Sequence, residues 1–210
     1  MTADLTAGPA MSSAAPVLAP GSINQGRVAD LYRQLLKELG EDPDRDGLKD
    51  TPERVARWWV EFLEYDPGRT DTTFVHEELR AGGQELVLVS GIVVPSLCEH
   101  HLQGMELTIT AGYRPQGQVL GLSKIARIAQ AHGHRLQLQE RIVNGIAEDL
   151  MRVSGSPDVA VAASGTHSCM SARGVRETGA VTTSTSTHGA FTSAGPLASL
   201  FLNLAVKGAR

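Results

Sequence analysis

Apolar residues return along this chain with two different periods, and the switches between the periods divide it into elements. From Val28 onward, Leu31, Tyr32, Leu35, Leu36 and Leu39 recur at the spacing of one helix face, and Gly40 offers the left-handed stop that ends a helix. Beyond the polar loop 41–47 a second helix is predicted, with Thr51 as its cap, Pro52 at the first helical position and Glu53 against the positive helix end. Its apolar face of Val55, Trp58, Trp59, Phe62 and Leu63 carries both tryptophans of the chain and reads as packing or a subunit contact, not a ligand platform. After a turn-rich stretch the period drops to two. Residues 85–94 are β-branched and apolar, and 106–113 alternates Leu107, Ile109, Ala111 and Tyr113 with polar or small residues, so two strands are expected. A turn at 114–117 and a short apolar run at 119–122 lead to a helix capped by Ser123, with Ile125, Ile128 and Ala129 on one side. A further helix runs from Gln139 through Ile142, Ile146 and Leu150, strands follow at 159–163 and 180–187, and a last apolar helix centres on Leu197, Leu200 and Leu204. The order strand pair, helix pair, strand pair argues for an α+β domain, an antiparallel sheet backed by helices.

Composition narrows the class. A chain of 210 residues with 41% hydrophobic and 20% charged residues is long enough for one domain with a proper core and is neither disordered overall nor a membrane protein. The formal net charge of -4 gives no general attraction to nucleic acid or anionic lipid, so neither is an expected partner, and any phosphate must be held by local Lys and Arg. Residues 1–24 are rich in Ala, Pro, Ser, Gly and Thr and have no basic residue before Arg27. They read as a flexible tail, not as a signal peptide or a presequence, which makes the cytoplasm the expected compartment. A single folded domain is expected over 25–210, with helices in 25–84 and the sheet core in 85–210.

The two cysteines, Cys98 and Cys169, both keep histidine company, in Cys98-Glu99-His100-His101 and His167-Ser168-Cys169. A disulfide or two inert thiols would not need those neighbours, so metal ligation is favoured. Thiolate and imidazole are the donors zinc prefers, and a catalytic zinc keeps three of them and leaves a fourth position to water. Five candidate donors exceed that need. One of His100 and His101, together with His167, is then free for proton transfer, while a four-ligand structural zinc stays open as the alternative.

Lys124 and Arg127 share a face at a predicted helix start, and Arg173 follows the second Cys/His segment. Such residues are ordinarily a solvated face; beside a helix N-terminus they would also suit a triphosphate. The Glu140-Arg141 pair, in Gln139-Glu140-Arg141, reads as surface decoration, or Glu140 serves as an acceptor for the ring N–H and exocyclic amine of guanine, a donor pair adenine lacks.

Four segments occur together and in order: Ser96-Leu97-Cys98-Glu99-His100-His101, Gly121-Leu122-Ser123-Lys124-Ile125-Ala126-Arg127, Gln137-Leu138-Gln139-Glu140-Arg141 and His167-Ser168-Cys169-Met170-Ser171-Ala172-Arg173-Gly174. Together with 40–48 and 51–55, they resemble the signature segments of GTP cyclohydrolase I over nearly everything after the tail. The resemblance implies the tunnelling fold, an antiparallel four-stranded sheet with two packed helices preceded by an N-terminal helical segment. It also implies a homodecamer of two pentameric rings with active sites between neighbouring subunits. It implies that Cys98, His101 and Cys169 hold Zn2+ and that His167 handles the proton on the guanine ring nitrogen. His100 would assist proton movements, and Ser123 the ribose rearrangement. Glu140, with Gln139 beside it, would bind the guanine edge of GTP, and Lys124, Arg127 and Arg173 its triphosphate. The family's product is 7,8-dihydroneopterin triphosphate, feeding folate or related pterins. Two segments depart from the family pattern. Residues 102–113 lack the usual Gly-Lys, and 131–135 replace a more apolar aromatic stretch, with His132 and His134 expected at the surface or an interface. They leave room for a paralogue serving another pathway or a modified guanine nucleotide. The rivals are a nitrile reductase of the same fold, which the Cys-Glu-His-His segment and second cysteine speak against, and a non-catalytic nucleotide-binding paralogue.

Overall fold

The structure, a computed structural model, describes residues 21–75, 85–193 and 195–208. Most of the expected tail, and part of the turn-rich stretch before the sheet, lie outside the described residues.

Two helices come first, α1 (Gln25–Glu38) and α2 (Thr51–Leu63). The Asn24 side chain accepts from the Arg27 N–H at the start of α1. At its end, Gly40 takes φ +82 and its N–H reaches Lys37 O while that of Glu41 reaches Leu36 O, the paired bonds of a Schellman stop. Trp59 fastens the pair by donating its indole N–H to the Tyr32 hydroxyl at 2.7 Å. The expected Thr51 cap is corrected. Asp50 holds the cap position without a side-chain bond, and the Thr51 hydroxyl instead accepts from Arg54 one turn on. The Glu64 carboxylate receives the N–H groups of Gly21 and Ile23, so the chain is tied down from residue 21.

The remaining elements are β1 (Thr73–Val75), β2 (Val87–Cys98), β3 (Gly104–Tyr113), β4 (Gln118–Leu120), α3 (Leu122–Gly133), β5 (Leu136–Gln137), α4 (Gln139–Ser154), β6 (Val159–His167), the single turn α5 (Ser168–Ser171), β7 (Thr182–Thr187) and α6 (Pro196–Gly208). β1 and β4 form a small antiparallel ribbon. The main sheet runs β5-β2-β3-β6-β7, antiparallel throughout except for β5, whose two residues pair parallel with Leu97 and Cys98. The expected antiparallel sheet is therefore present with a fifth, very short strand added at one edge.

Alternation decides what each face buries. Met105, Leu107, Ile109, Ala111 and Tyr113 of β3 and Val159, Val161 and Ala163 of β6 turn to the same side. There they meet Ile125, Ile128 and Ala129 of α3 and Ile142, Ile146 and Leu150 of α4 in the main core. The opposite face is smaller, with Ala160 and Ala162 under Phe191 and Phe201. Ser123 does not cap α3; Gly121 does, leaving Ser123 exposed in the first turn.

Two features of β2 set up the site. Between Val89 and Ile92 the register against β3 shifts by one residue, with Gly91 at φ +73, a bulge that exchanges the faces of everything beyond it. Val87 and Val89 pack on the main core before the bulge, and Ile92, Val94 and Cys98 do so after it. The strand also continues through Pro95, past the expected end at Val94. Val93 O faces the outer edge, where Gln130 Nε2 donates to it. Residues two apart point the same way, so the missing Pro95 N–H costs the sheet no ladder bond.

Candidate functional site

β2 delivers Cys98, buried, to the end of the sheet, and the chain reverses at once. Cys98 N donates to Gln103 O at 2.9 Å and Leu102 N to Cys98 O at 2.8 Å. Leu102 closes the reversal at φ +53, a left-handed conformation that costs a non-glycine residue about 1 kcal/mol or more. The loop carries His101 back over the strand end, its Nδ1 3.6 Å from Cys98 Sγ. Next door, β6 ends on His167, in register with Met105, and the following turn α5 presents Cys169. Both cysteines are free, and the ligand atoms of Cys98, His101 and Cys169 all lie within 4.8 Å of one another.

That set can be tested against zinc. With bonds of about 2.3 Å to sulfur and 2.0–2.1 Å to nitrogen, tetrahedral geometry places ligand atoms about 3.6–3.8 Å apart. The observed Cys98–His101 separation already matches, and the widest pair needs to close by about 1 Å. Two thiols and one imidazole, one buried, one half-buried and one exposed, fit a three-ligand site open on one side. The Cys169 thiol is pushed up by burial and by the adjacent Cys98, with Arg173 acting in the opposite direction, so taking up a metal there releases a proton.

His167 is held by Gln139, the first residue of α4. Gln139 is 2% exposed and spends both amide N–H groups on carbonyls, Ala163 O at 3.1 Å and Thr182 O at 3.0 Å. Its oxygen must then be the atom that meets His167 Nε2 at 2.7 Å, and it can only accept. Nε2 therefore carries the hydrogen. Burial pushes the His167 pKa down, against an upward pull from nearby Glu140, so the ring is neutral near pH 7 and Nδ1 is the atom left to take a proton. Gln139, expected at the substrate, has its side chain turned into the protein, where it orients this imidazole.

The other expected residues fall into two groups. Glu140 is exposed and close enough to His167 to act on it, Arg173 is exposed and acts on Cys169, and His100 stands exposed in the loop with its ring edge-on to His101 at 6.2 Å. Ser123, Lys124 and Arg127 are elsewhere. Lys124 acts on Asp71, Arg127 donates to Pro67 O, and Leu120, just before α3, donates to the Tyr113 hydroxyl. Tyr113 pairs with Val159 at one end of β6, whereas His167 is at the other. Eight residue steps of strand separate those ends, roughly 26 Å, so within one chain the two groups do not meet. A cleft of about 520 Å³, lined by Trp58, Phe62, Met105 and His134 among others, includes none of the three ligand candidates.

A family model described as GTP cyclohydrolase I matches residues 28–206. The chain belongs to the GTP cyclohydrolase I family. It is 44% identical over 179 residues to the GTP cyclohydrolase 1 of Ruminiclostridium cellulolyticum, covering 81% of this chain and 92% of that one. It is 42% identical over 170 residues to that of Hyperthermus butylicus, covering 80% and 84% respectively. Among solved structures, the apo form of the archaeosine synthase QueF-Like aligns with a TM-score of 0.42 at 16% identity, over 51% of this chain and 96% of that one, too remote to bear on the chemistry.

One residue that matters in this member of the GTP cyclohydrolase I family escaped the sequence reading. Arg141 looked like half of a surface Glu-Arg pair, yet its guanidinium grips Glu99 across 42 residues, Nη1 to Oε2 at 2.6 Å and Nη2 to Oε1 at 3.2 Å. The hydrogen bonds from Arg141 hold the Glu99 carboxyl below its ordinary range. The one available signal was that Glu99 is the only acidic residue inside the Cys-Glu-His-His segment. His132 is also corrected. It is 7% exposed, not at the surface, and meets Asp149 of α4 at 2.9 Å, while His134 stacks on Tyr65 at 3.9 Å between ring centroids.

Proposed function

We propose that this chain opens the imidazole ring of GTP, releases the carbon between the two ring nitrogens as formate, and rearranges the remainder to 7,8-dihydroneopterin triphosphate. The observation that carries the reading is the convergence of Cys98, His101 and Cys169 within 4.8 Å, beside a neutral His167 whose tautomer is fixed. In this reading those three residues hold zinc, which when bound supplies a Lewis acid and an acidified water. His167 exchanges a proton through Nδ1 with the guanine ring nitrogen, and Gln139 keeps its Nε2 side occupied so that Nδ1 is the working atom. His100, exposed beside His101, assists the proton movements of ring opening. Glu140 accepts the N–H and amine of the guanine edge, and Arg173 draws the negatively charged substrate toward Cys169.

Ser123 for the ribose rearrangement, and Lys124 and Arg127 for the triphosphate, come from a second copy of the chain in this proposal. The separation of roughly 26 Å along β6 supports that arrangement. So does the sheet, because among the described residues β7 is paired on one side only, and a neighbouring copy that continues the sheet would cover the edge. A ring built that way is the tunnelling fold, and two stacked pentamers make the decamer.

Purified protein supplied with GTP and zinc is expected to release formate and to give a fluorescent pterin after oxidation. Cys169→Ala and His167→Ala are expected to do neither. Full activity in either variant rejects the assigned roles.

A further inference from the structure

We infer that Arg141 is a positioning residue for the metal centre: by gripping Glu99 it fixes the loop that carries His101, so that the start of α4 keeps the two halves of the Cys98, His101 and Cys169 set in register. The inference rests on the metal reading above and goes beyond it, because neither Arg141 nor Glu99 belongs to that ligand set.

Glu99 is held at both its ends by one short stretch of chain. Its backbone N–H donates to Gln137 O at 3.1 Å, and its carboxylate receives both arms of the Arg141 fork. Arg141 Nη1 also donates to Gln137 Oε1 at 3.2 Å, and Gln137 is fully buried. Gln139 lies between them in sequence and takes the other half-site, through His167 on β6 and the carbonyls of Ala163 and Thr182. Residues 137, 139 and 141 thus reach the hairpin loop of β2 on one side and the end of β6 on the other. The loop needs such a hold. It turns through Leu102 in a strained conformation, and His101 is exposed, flanked by the likewise exposed ring of His100. Both partners of the ion pair are about three-quarters buried, and the fork is bidentate, which separates it from the solvated pairs of the α1–α2 region.

The test is zinc affinity of the full-length protein, stripped of metal and titrated against a chromophoric chelator, with the melting temperature of the metal-free form measured alongside. Arg141→Met is expected to weaken zinc about 10- to 100-fold, the usual effect of losing a group that orients metal ligands. Arg141→Lys keeps the charge but not the fork and should fall between it and the unmodified protein. Glu99→Gln combined with Arg141→Met should be no worse than Arg141→Met alone, since both changes remove one interaction. Zinc binding within twofold of the unmodified protein in Arg141→Met overturns the inference, even if the metal-free protein melts earlier, because that is a purely structural ion pair. Should Arg141→Met fail to fold, Arg141→Lys and Glu99→Gln decide by the same criterion. Unmodified protein that takes up no zinc, or takes it up as well after Cys169→Ala, overturns the metal reading itself and is distinguishable from both.

Discussion

Asp149 offers a measurement in which structure and pH meet. It lies on α4 facing α3, 2.9 Å from His132 Nε2 and 2.6 Å from Arg152 Nη2, and those partners, His132 first, depress its carboxyl from 3.8 to about 2. At about 1.36 kcal/mol per pH unit, the depression bounds the contribution of the charge at about 2–3 kcal/mol. A third of the side chain meets solvent, which screens the pairing, so the expected value is on the order of 1–2 kcal/mol. The sign follows from linkage. A carboxyl whose pKa is lower in the folded than in the unfolded state contributes its full stabilisation above the unfolded value near 4 and loses it as the pH falls toward 2. Asp149→Asn keeps the shape and a side-chain oxygen that can accept from His132, but removes the charge. Urea unfolding of the unmodified and variant proteins at pH 6, 5, 4 and 3 separates Asp149 and its pairing from the other carboxylates, which contribute equally to both. A gap on the order of 1–2 kcal/mol at pH 6 that holds at pH 5 and then narrows from pH 4 to pH 3 is the expected result. A gap that stays constant across the series, or widens toward acid, refutes the reasoning.

Gly165→Ala places a Cβ against Glu106 O and 2.5 Å from Leu107 Cδ2, where β6 pairs with β3. It should cost about 1–3 kcal/mol by thermal unfolding and lower turnover by displacing His167 two residues on. A variant as stable and active as the unmodified protein would show that the strands can part freely. Lys124→Ala and His167→Ala should each be inactive alone, yet mixed after subunit exchange they should regain part of the activity, because some sites then combine an intact Lys124 with an intact His167. A mixture that stays inactive while forming mixed oligomers argues that each site is built within one chain.

The fold was legible where burial imposes a period. The alternation of β3 and the apolar side of α4 follow from which residues must leave water, whereas of the face expected on α2 only Phe62 is buried and Trp58 is exposed. The ends of the strands were not, because there the determinants lie on other segments. Pro95 reads as a stop until one knows that its nitrogen faces an edge, and the Ser-Gly-Thr-His end of β6 has no apolar pattern, being held instead by its pairing with β3. β5 is two residues long, too short to carry any period, and it exists because Leu97 and Cys98 offer it a free edge.

The site divides along the same line. Residue types capable of metal and proton chemistry announce themselves by their donors, so Cys98, Cys169, His167 and the His100-His101 pair could be selected from the sequence; the family resemblance singled out His101, and the structure brings Cys98, His101 and Cys169 within 4.8 Å of one another. What holds them in place could not be selected, because a glutamine or an arginine has many uses and only a partner far along the chain determines which one applies. Gln139 was expected at the substrate, yet its two donors are spent on Ala163 and Thr182, and what remains of it fixes a tautomer. Arg141 was expected in solvent and instead closes a loop formed 42 residues earlier. His132 was expected at the surface or an interface, but its ring is buried within the chain and fills the space left by Gly145, where an added Cβ would lie 2.5 Å from it. In each case the sequence displays the functional group while the three-dimensional neighbour decides its task. A reading that finds reactive atoms will therefore find candidate donors first, and miss the residues whose distant partners hold those donors in place.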